Sequence, residues 1–280
     1  MSAWFANGDP VTAIPADERA WQYGDGLFET IAVRAGAPRL LQWHLERLGS
    51  GCRRLGIEAP AVDRLEADVA AALEAATGNT DFAVLKLVVT AGAGPRGYAR
   101  RGARPGSFVG IFPATPLDPS MYRNGVVVRQ CSTRLARQPQ LAGIKSLNRL
   151  EQVLARNEWT DPSVFEGLTC DTAGKLICGT MSNVFISGPH SILTPDLSHC
   201  GVSGIMRRKF VETARQAGLE VEVTELDRTV VESASSLFLT NSQFGVLPVR
   251  RLDERELDID PTIRQLMSLL AEDGFPEIAC

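Results

Sequence analysis

Residues 141–154 read Leu141-Ala142-Gly143-Ile144-Lys145-Ser146-Leu147-Asn148-Arg149-Leu150-Glu151-Gln152-Val153-Leu154. Upstream Pro139 and Gly143 itself keep the approach out of a helix. From Ser146 on, Leu147, Leu150, Val153 and Leu154 recur at helical spacing, which predicts a helix with one apolar face. Lys145 then sits at the end of an apolar, glycine-containing loop, where the chain turns inward. A lysine that loses hydration has a lowered pKa, and its neutral amine is a nucleophile toward an aldehyde. On spacing alone, a solvated lysine beside a helix start is the commoner case.

Working outward, the 280 residues are 44% hydrophobic, enough for one large domain or two moderate ones. The net charge of -4 and the lack of a long Lys/Arg run leave no basic footprint for nucleic acid. No apolar stretch is long enough to span a bilayer, so no membrane association is expected. Residues 1–9 lack the basic start and long apolar centre of a signal peptide, and the expected location is cytoplasmic. The six cysteines, at 52, 131, 170, 178, 200 and 280, form no CxxC pair and no zinc-spaced cluster with histidine, so no metal is expected. Of the three histidines, His44, His190 and His199, an orienting or solvated role is commoner than a catalytic base.

Periodicity predicts strands at 27–33, 84–89 and 107–112, and helices at 44–55 and 62–76, the first stopped by Gly56 and the second followed by Gly78 and Asn79. Pro113, Pro116 and Pro119 disfavour both helix and central strand, so 114–123 reads as a linker. Beyond it come strands near 126–128, 164–168, 176–178, 183–186, 191–193, 219–223 and 236–240, and helices at 205–217 and 259–271. The order is that of an α+β chain with two domains, a smaller N-terminal α/β domain at 1–113 and a larger C-terminal one at 124–280.

The lysine segment closely resembles that of the fold-type IV pyridoxal-phosphate enzymes, a group that includes branched-chain and D-amino-acid aminotransferases and aminodeoxychorismate lyases. Asn148-Arg149-Leu150-Glu151-Gln152 looks specifically like the lyases. Further similarity runs in the family's order through Tyr23-Gly24-Asp25-Gly26, His44-Leu45-Glu46-Arg47, Arg96-Gly97-Tyr98, Ser182-Asn183-Val184-Phe185 and Gly201-Val202-Ser203-Gly204-Ile205-Met206.

The resemblance implies pyridoxal 5′-phosphate as cofactor, with Lys145 as its aldehyde partner and as catalytic base. It implies a phosphate cradle from Arg47, Ser242 and the helix start at Gly204, Ile205 and Met206. A helix N-terminus presents free N–H groups and partial positive charge, and Ser203 is placed to cap it. It puts Tyr23, Glu29 and Thr30 on strand ends near the cofactor. Alternation sends Glu29 and Thr30 to opposite faces, so Thr30 is the candidate proton relay, with core filler an equal alternative. Arg96 and Tyr98, in a flexible glycine loop, and Arg149 are candidates for a substrate carboxylate. A homodimer is implied as well.

One position departs from the pattern. The family carries a glutamate five residues before its Asn-aliphatic-Phe asparagine, facing the pyridine nitrogen; the matching residue here is Cys178. A thiol with its ordinary pKa of about 8.5 is mostly neutral at pH 7 and does not hold that nitrogen protonated. A weaker electron sink, another recruited group, or lost activity each follow. A lyase tolerates the first better than an aminotransferase, because its product is aromatic. The expected reaction is elimination of pyruvate from 4-amino-4-deoxychorismate to give 4-aminobenzoate for folate biosynthesis. The alternatives are a D-amino-acid or branched-chain aminotransferase, or a non-catalytic relative.

Overall fold

The computed structural model describes residues 3–6, 9–76, 80–187 and 191–279. Gly78, Asn79, His190 and Cys280 lie outside the described residues. The fold is α+β, and the chain divides into two compact units. One comprises Met1–Pro116 with Ile144–Asn148, the other Leu117–Gly143 with Arg149–Cys280.

The first unit contains β1 (Ala3–Ala6), β2 (Asp9–Pro10), α1 (Arg19–Tyr23), β3 (Gly26–Arg34), β4 (Ala37–Pro38), α2 (Leu41–Leu55), α3 (Val62–Ala75), β5 (Phe82–Thr90) and β6 (Gly106–Pro113). Its strands form an antiparallel sheet in the order β2-β1-β6-β5-β3-β4. Alternation along β3 sends Leu27, Ile31 and Val33 into a core with Leu45, Leu48 and Cys52 of α2 and Leu65 and Val69 of α3. Helix α2 ends at Gly56, whose φ of 65° makes a left-handed cap.

The second unit follows with α4 (Pro119–Asn124), β7 (Val126–Leu135), α5 (Leu150–Arg156), β8 (Val164–Asp171), β9 (Leu176–Gly179), β10 (Asn183–Ser187), β11 (Ile192–Pro195), α6 (Ile205–Gln216), β12 (Val221–Thr224), α7 (Arg228–Ser233), β13 (Ser236–Asn241), β14 (Gly245–Leu252), β15 (Arg255–Glu256) and α8 (Pro261–Glu272). Its mixed sheet runs β12-β11-β10-β13-β14-β7-β8-β9, with β15 on β14. Strand β9, at one end of that order, also packs on β10 and β11, so the sheet curls back on itself. Phe185, Phe210 and Phe238 fill the space between β10, β13 and α6, with ring centroids 4.7 to 4.9 Å apart.

Two expectations change. The linker contains helix α4, because Asp118 caps it by accepting from the Ser120 N–H at 2.8 Å and Pro119 occupies its first turn. The lysine segment does not open a helix: residues 144–148 are irregular apart from an isolated bridge at Ser146, and α5 begins only at Leu150. Leu147 N–H donates to the Gly26 carbonyl at 3.0 Å, Phe28 N–H donates to the Lys145 carbonyl at 2.9 Å, and Ser146 bridges Leu27. Those bonds join 144–148 to β3 and so to the first unit, inside a stretch expected to belong wholly to the C-terminal domain.

Candidate active site

In the first unit the segment 144–148 determines where Lys145 points. Ile144 enters the core, and Lys145 Nζ lies 4.4 Å from the centroid of the Phe28 ring. Lys86 of β5 reaches the same ring, with its Nζ 5.1 Å from the centroid. In the register of β3 with β5, Lys86 stands opposite Thr30. Phe28, Thr30, Lys86 and Lys145 are thus neighbours, with Phe28 and Thr30 on the face of β3 turned away from the α2 core. Lys86 was missed in the sequence, where its signal was a lone cation in the apolar run Val84–Val89.

The opposite face carries Glu29, which is 1% exposed. Arg47 Nε donates to Glu29 Oε1 at 2.8 Å, and the same guanidinium makes a second contact with Oε2. His44 Nδ1 lies 2.6 Å from Oε2. Burial would raise the Glu29 pKa, but the charge of Arg47 and the bonds from His44 and Arg47 outweigh it and hold the carboxyl at about 2. For His44, burial lowers the pKa, Glu29 opposes this, and the charges of Arg47 and Lys145 add to it. A neutral His44 therefore donates Nδ1–H to Glu29. That leaves its buried Nε2 with no hydrogen-bond partner. Arg47, expected to face phosphate, has a carboxylate partner that alternation alone did not reveal.

The loop around Arg96 is pinned rather than loose. Arg19 donates to the carbonyls of Gly97 at 2.8 Å and Tyr98 at 3.0 Å, and its Nε pairs with Asp25 at 2.8 Å. Arg100 Nε also binds Asp25, at 2.9 Å. The Tyr23 hydroxyl accepts from Gly97 N–H at 3.0 Å, so Tyr23 supports the loop. Arg96 and Tyr98 are exposed, Tyr98 by 88%.

In the second unit, α6 begins at Ile205 with Gly204 rather than Ser203 as its cap residue. A Cβ on Gly204 would stand 1.9 Å from Asn183 Oδ1, so glycine allows the helix start to approach β10. Asn183 Nδ2 donates to the Val202 carbonyl at 2.9 Å and pairs in register with Thr240 of β13. The Thr240 hydroxyl is buried without a partner. Ser242, two residues on, is partly exposed in the turn after β13. Gly204, Ile205, Met206, Thr240 and Ser242 thus gather around Asn183.

Cys178 is buried on β9. The Thr169 hydroxyl donates to its carbonyl at 2.9 Å and lies 3.6 Å from its Sγ. Arg149 precedes α5, and its charge acts on Cys178. It is a candidate for substrate carboxylate, and its side chain is half-buried.

A family model described as amino-transferase class IV matches residues 26–252. This chain belongs to the class IV aminotransferase family. Within that family it is 36% identical to an aminodeoxychorismate lyase of Vibrio harveyi, over 94% of this chain and 96% of the relative. A solved 4-amino-4-deoxychorismate lyase from Pseudomonas aeruginosa superposes with a TM-score of 0.91 at 40% identity, covering 97% of this chain and 99% of that one. A putative branched-chain-amino-acid aminotransferase of Methanocaldococcus jannaschii is 30% identical over 84% of this chain and 81% of its own. Among the described residues of this class IV chain, no helix is long and apolar enough to cross a membrane, and no His/Cys/Asp/Glu cluster is fit for a metal ion.

Proposed function

We propose that this protein is a 4-amino-4-deoxychorismate lyase, dependent on pyridoxal 5′-phosphate, that releases pyruvate and 4-aminobenzoate. The observation that carries the reading is the near-full-length likeness to two such lyases. Its residues fit the cofactor. Lys145 supplies a primary amine, and the start of α6, with Gly204 as its cap residue, lies near the buried Thr240 hydroxyl. Gly204, Ile205, Met206 and Ser242 are assigned to the phosphate, with Arg47 by resemblance.

When bound, the cofactor draws electrons from the carbon that bears the substrate amine. The remaining steps belong to this chain. Lys145, as free amine, takes the proton from that ring carbon, with the Thr30 hydroxyl on the neighbouring strand position as relay. The carbon–oxygen bond to the enolpyruvyl group breaks, and that group leaves as pyruvate. The ring becomes aromatic, which supplies driving force. The substrate has two carboxylates and needs more than one cation; Lys86 and Arg96 are the candidates, with the Tyr98 hydroxyl beside Arg96. The same reading makes the protein a cytoplasmic enzyme of folate biosynthesis.

We further infer a homodimer. Leu150, Val153 and Leu154 of α5 are 77%, 51% and 62% exposed, an apolar face that a second copy would cover.

The test supplies purified protein with pyridoxal phosphate and enzymatically made aminodeoxychorismate. Equal amounts of 4-aminobenzoate and pyruvate are expected, and none with Lys145→Ala. Retained turnover in that variant would overturn the assignment. The aminotransferase reading draws on the branched-chain relative, and exchange between an amino acid and a 2-keto acid, without lyase product, would establish it instead.

A further inference from the structure

We propose that Cys178 keeps the pyridine nitrogen of the bound cofactor unprotonated, its thiol donating a hydrogen bond to that nitrogen. The inference rests on the cofactor reading above and on the match of Cys178 to the family's ring-nitrogen position.

A protonated nitrogen would need a carboxylate, and those around Cys178 are engaged elsewhere. Glu166 is buried in the adjacent strand. It accepts from the N–H groups of Gly167 at 2.9 Å, Thr180 at 3.0 Å and Met181 at 3.1 Å, and from the hydroxyls of Thr180 at 2.5 Å and Ser182 at 2.8 Å. Five donors fill its lone-pair sites. Asp171 accepts from Arg137 at 2.8 Å, Ala173 N–H at 2.9 Å and Lys175 N–H at 2.8 Å. Glu151 on α5 accepts from Ala136 N–H at 2.7 Å. The other neighbours of Cys178 are apolar or thiol: Leu135, Ile177, Leu197 and Cys200.

Burial, helped by the charges of Glu166 and Glu151, pushes the Cys178 thiol up to about 11 against the Thr169 bond and the Arg149 charge, and it carries its proton at neutral pH. A pyridinium placed here would meet a neutral thiol, and the carboxylates whose charge acts on Cys178, Glu166 and Glu151, already accept other hydrogen bonds. An unprotonated nitrogen is only an acceptor, and the thiol is a donor. Donor and acceptor therefore match as S–H···N.

The consequence is selectivity of reaction. A neutral ring is a weak sink for an amino-acid carbanion. It suffices where the product gains aromaticity. Cys178 thereby disfavours amino-group exchange while leaving the elimination open.

The test is the 15N chemical shift of ring-labelled pyridoxal phosphate bound to the whole protein at neutral pH. The wild type is expected to show a neutral, hydrogen-bonded pyridine, retained in Cys178→Ser. Cys178→Glu is expected to move the resonance far upfield to a pyridinium and to raise amino-acid exchange at least about tenfold, equivalent to roughly 1.4 kcal/mol in barrier. A pyridinium in the wild type would overturn the inference while leaving the cofactor reading intact. A protein that binds no cofactor, or binds it unchanged in Lys145→Ala, would overturn that reading and this inference with it. The wild-type measurement stands even where the glutamate variant does not fold.

Discussion

Lys86 shows what a single residue reveals once the strands are paired. In β5 it interrupts an apolar strand, and the register with β3 brings it opposite Thr30 and onto the same ring as Lys145. Lys145 is needed as free amine for the proton, which leaves Lys86, beside the same ring, as the cation that suits an anionic substrate. Lys86→Met should raise KM for aminodeoxychorismate about tenfold or more, the loss of roughly 1.4 kcal/mol of binding, with a smaller change in kcat. Steady-state kinetics with quantified 4-aminobenzoate reads the split; a fall confined to kcat would assign Lys86 to chemistry instead. Thr30 and Glu29 were separable from alternation alone. The partner of Glu29 was not, because Arg47 and His44 lie on a helix whose rotation against the strand is fixed by packing.

At the level of elements, α5 has the apolar face its sequence predicts, but that face is turned outward. Its leucines have helical spacing, and spacing of this kind ordinarily marks a face turned to the core. Here Ala155 is the buried residue, while Leu150, Val153 and Leu154 face out. Periodicity identifies an apolar face but not what covers it. If a second copy covers it, the double variant Leu150→Glu, Leu154→Glu should run as a monomer in analytical ultracentrifugation. Its thermal midpoint extrapolated to low protein concentration should stay close to that of the parent, since neither side chain packs within the chain. An unchanged dimer would place the interface elsewhere. Gly204 is the converse case: its role as a helix start was readable, whereas its close approach to Asn183 depends on the curl of the sheet.

Across the whole molecule, buried and bonded carboxylates tie stability to pH. Glu29 in the first unit has a folded pKa of about 2 against an ordinary 4.5. In the second, Glu158 is also held at about 2, burial being outweighed by bonds from Thr133 and Ser132. A depressed carboxyl stabilises fully above its unfolded pKa and loses that contribution as pH falls through the folded one. The Glu29 contribution of about 3 kcal/mol should therefore be intact at pH 7 and fade from about pH 4.5 toward 2. Urea midpoints measured between pH 7 and about pH 3 should drop on acidification, and less so in Glu29→Gln, which starts lower because Arg47 is left without its anion. Equal acid sensitivity in that variant would remove Glu29 from the account. By itself the sequence determined the α+β class and the bounds of most strands and helices, and it singled out Lys145 and Cys178 for the proposed site, because periodicity, turn residues and motif spacing are local. Only the tertiary structure decided that Ile144–Asn148 joins β3, that Lys86 shares the face of Lys145, that Arg47 pairs with Glu29, and that Glu166 is unavailable to replace the lost acid. Each of these depends on strand register and on burial between segments far apart in the chain, which local spacing does not carry.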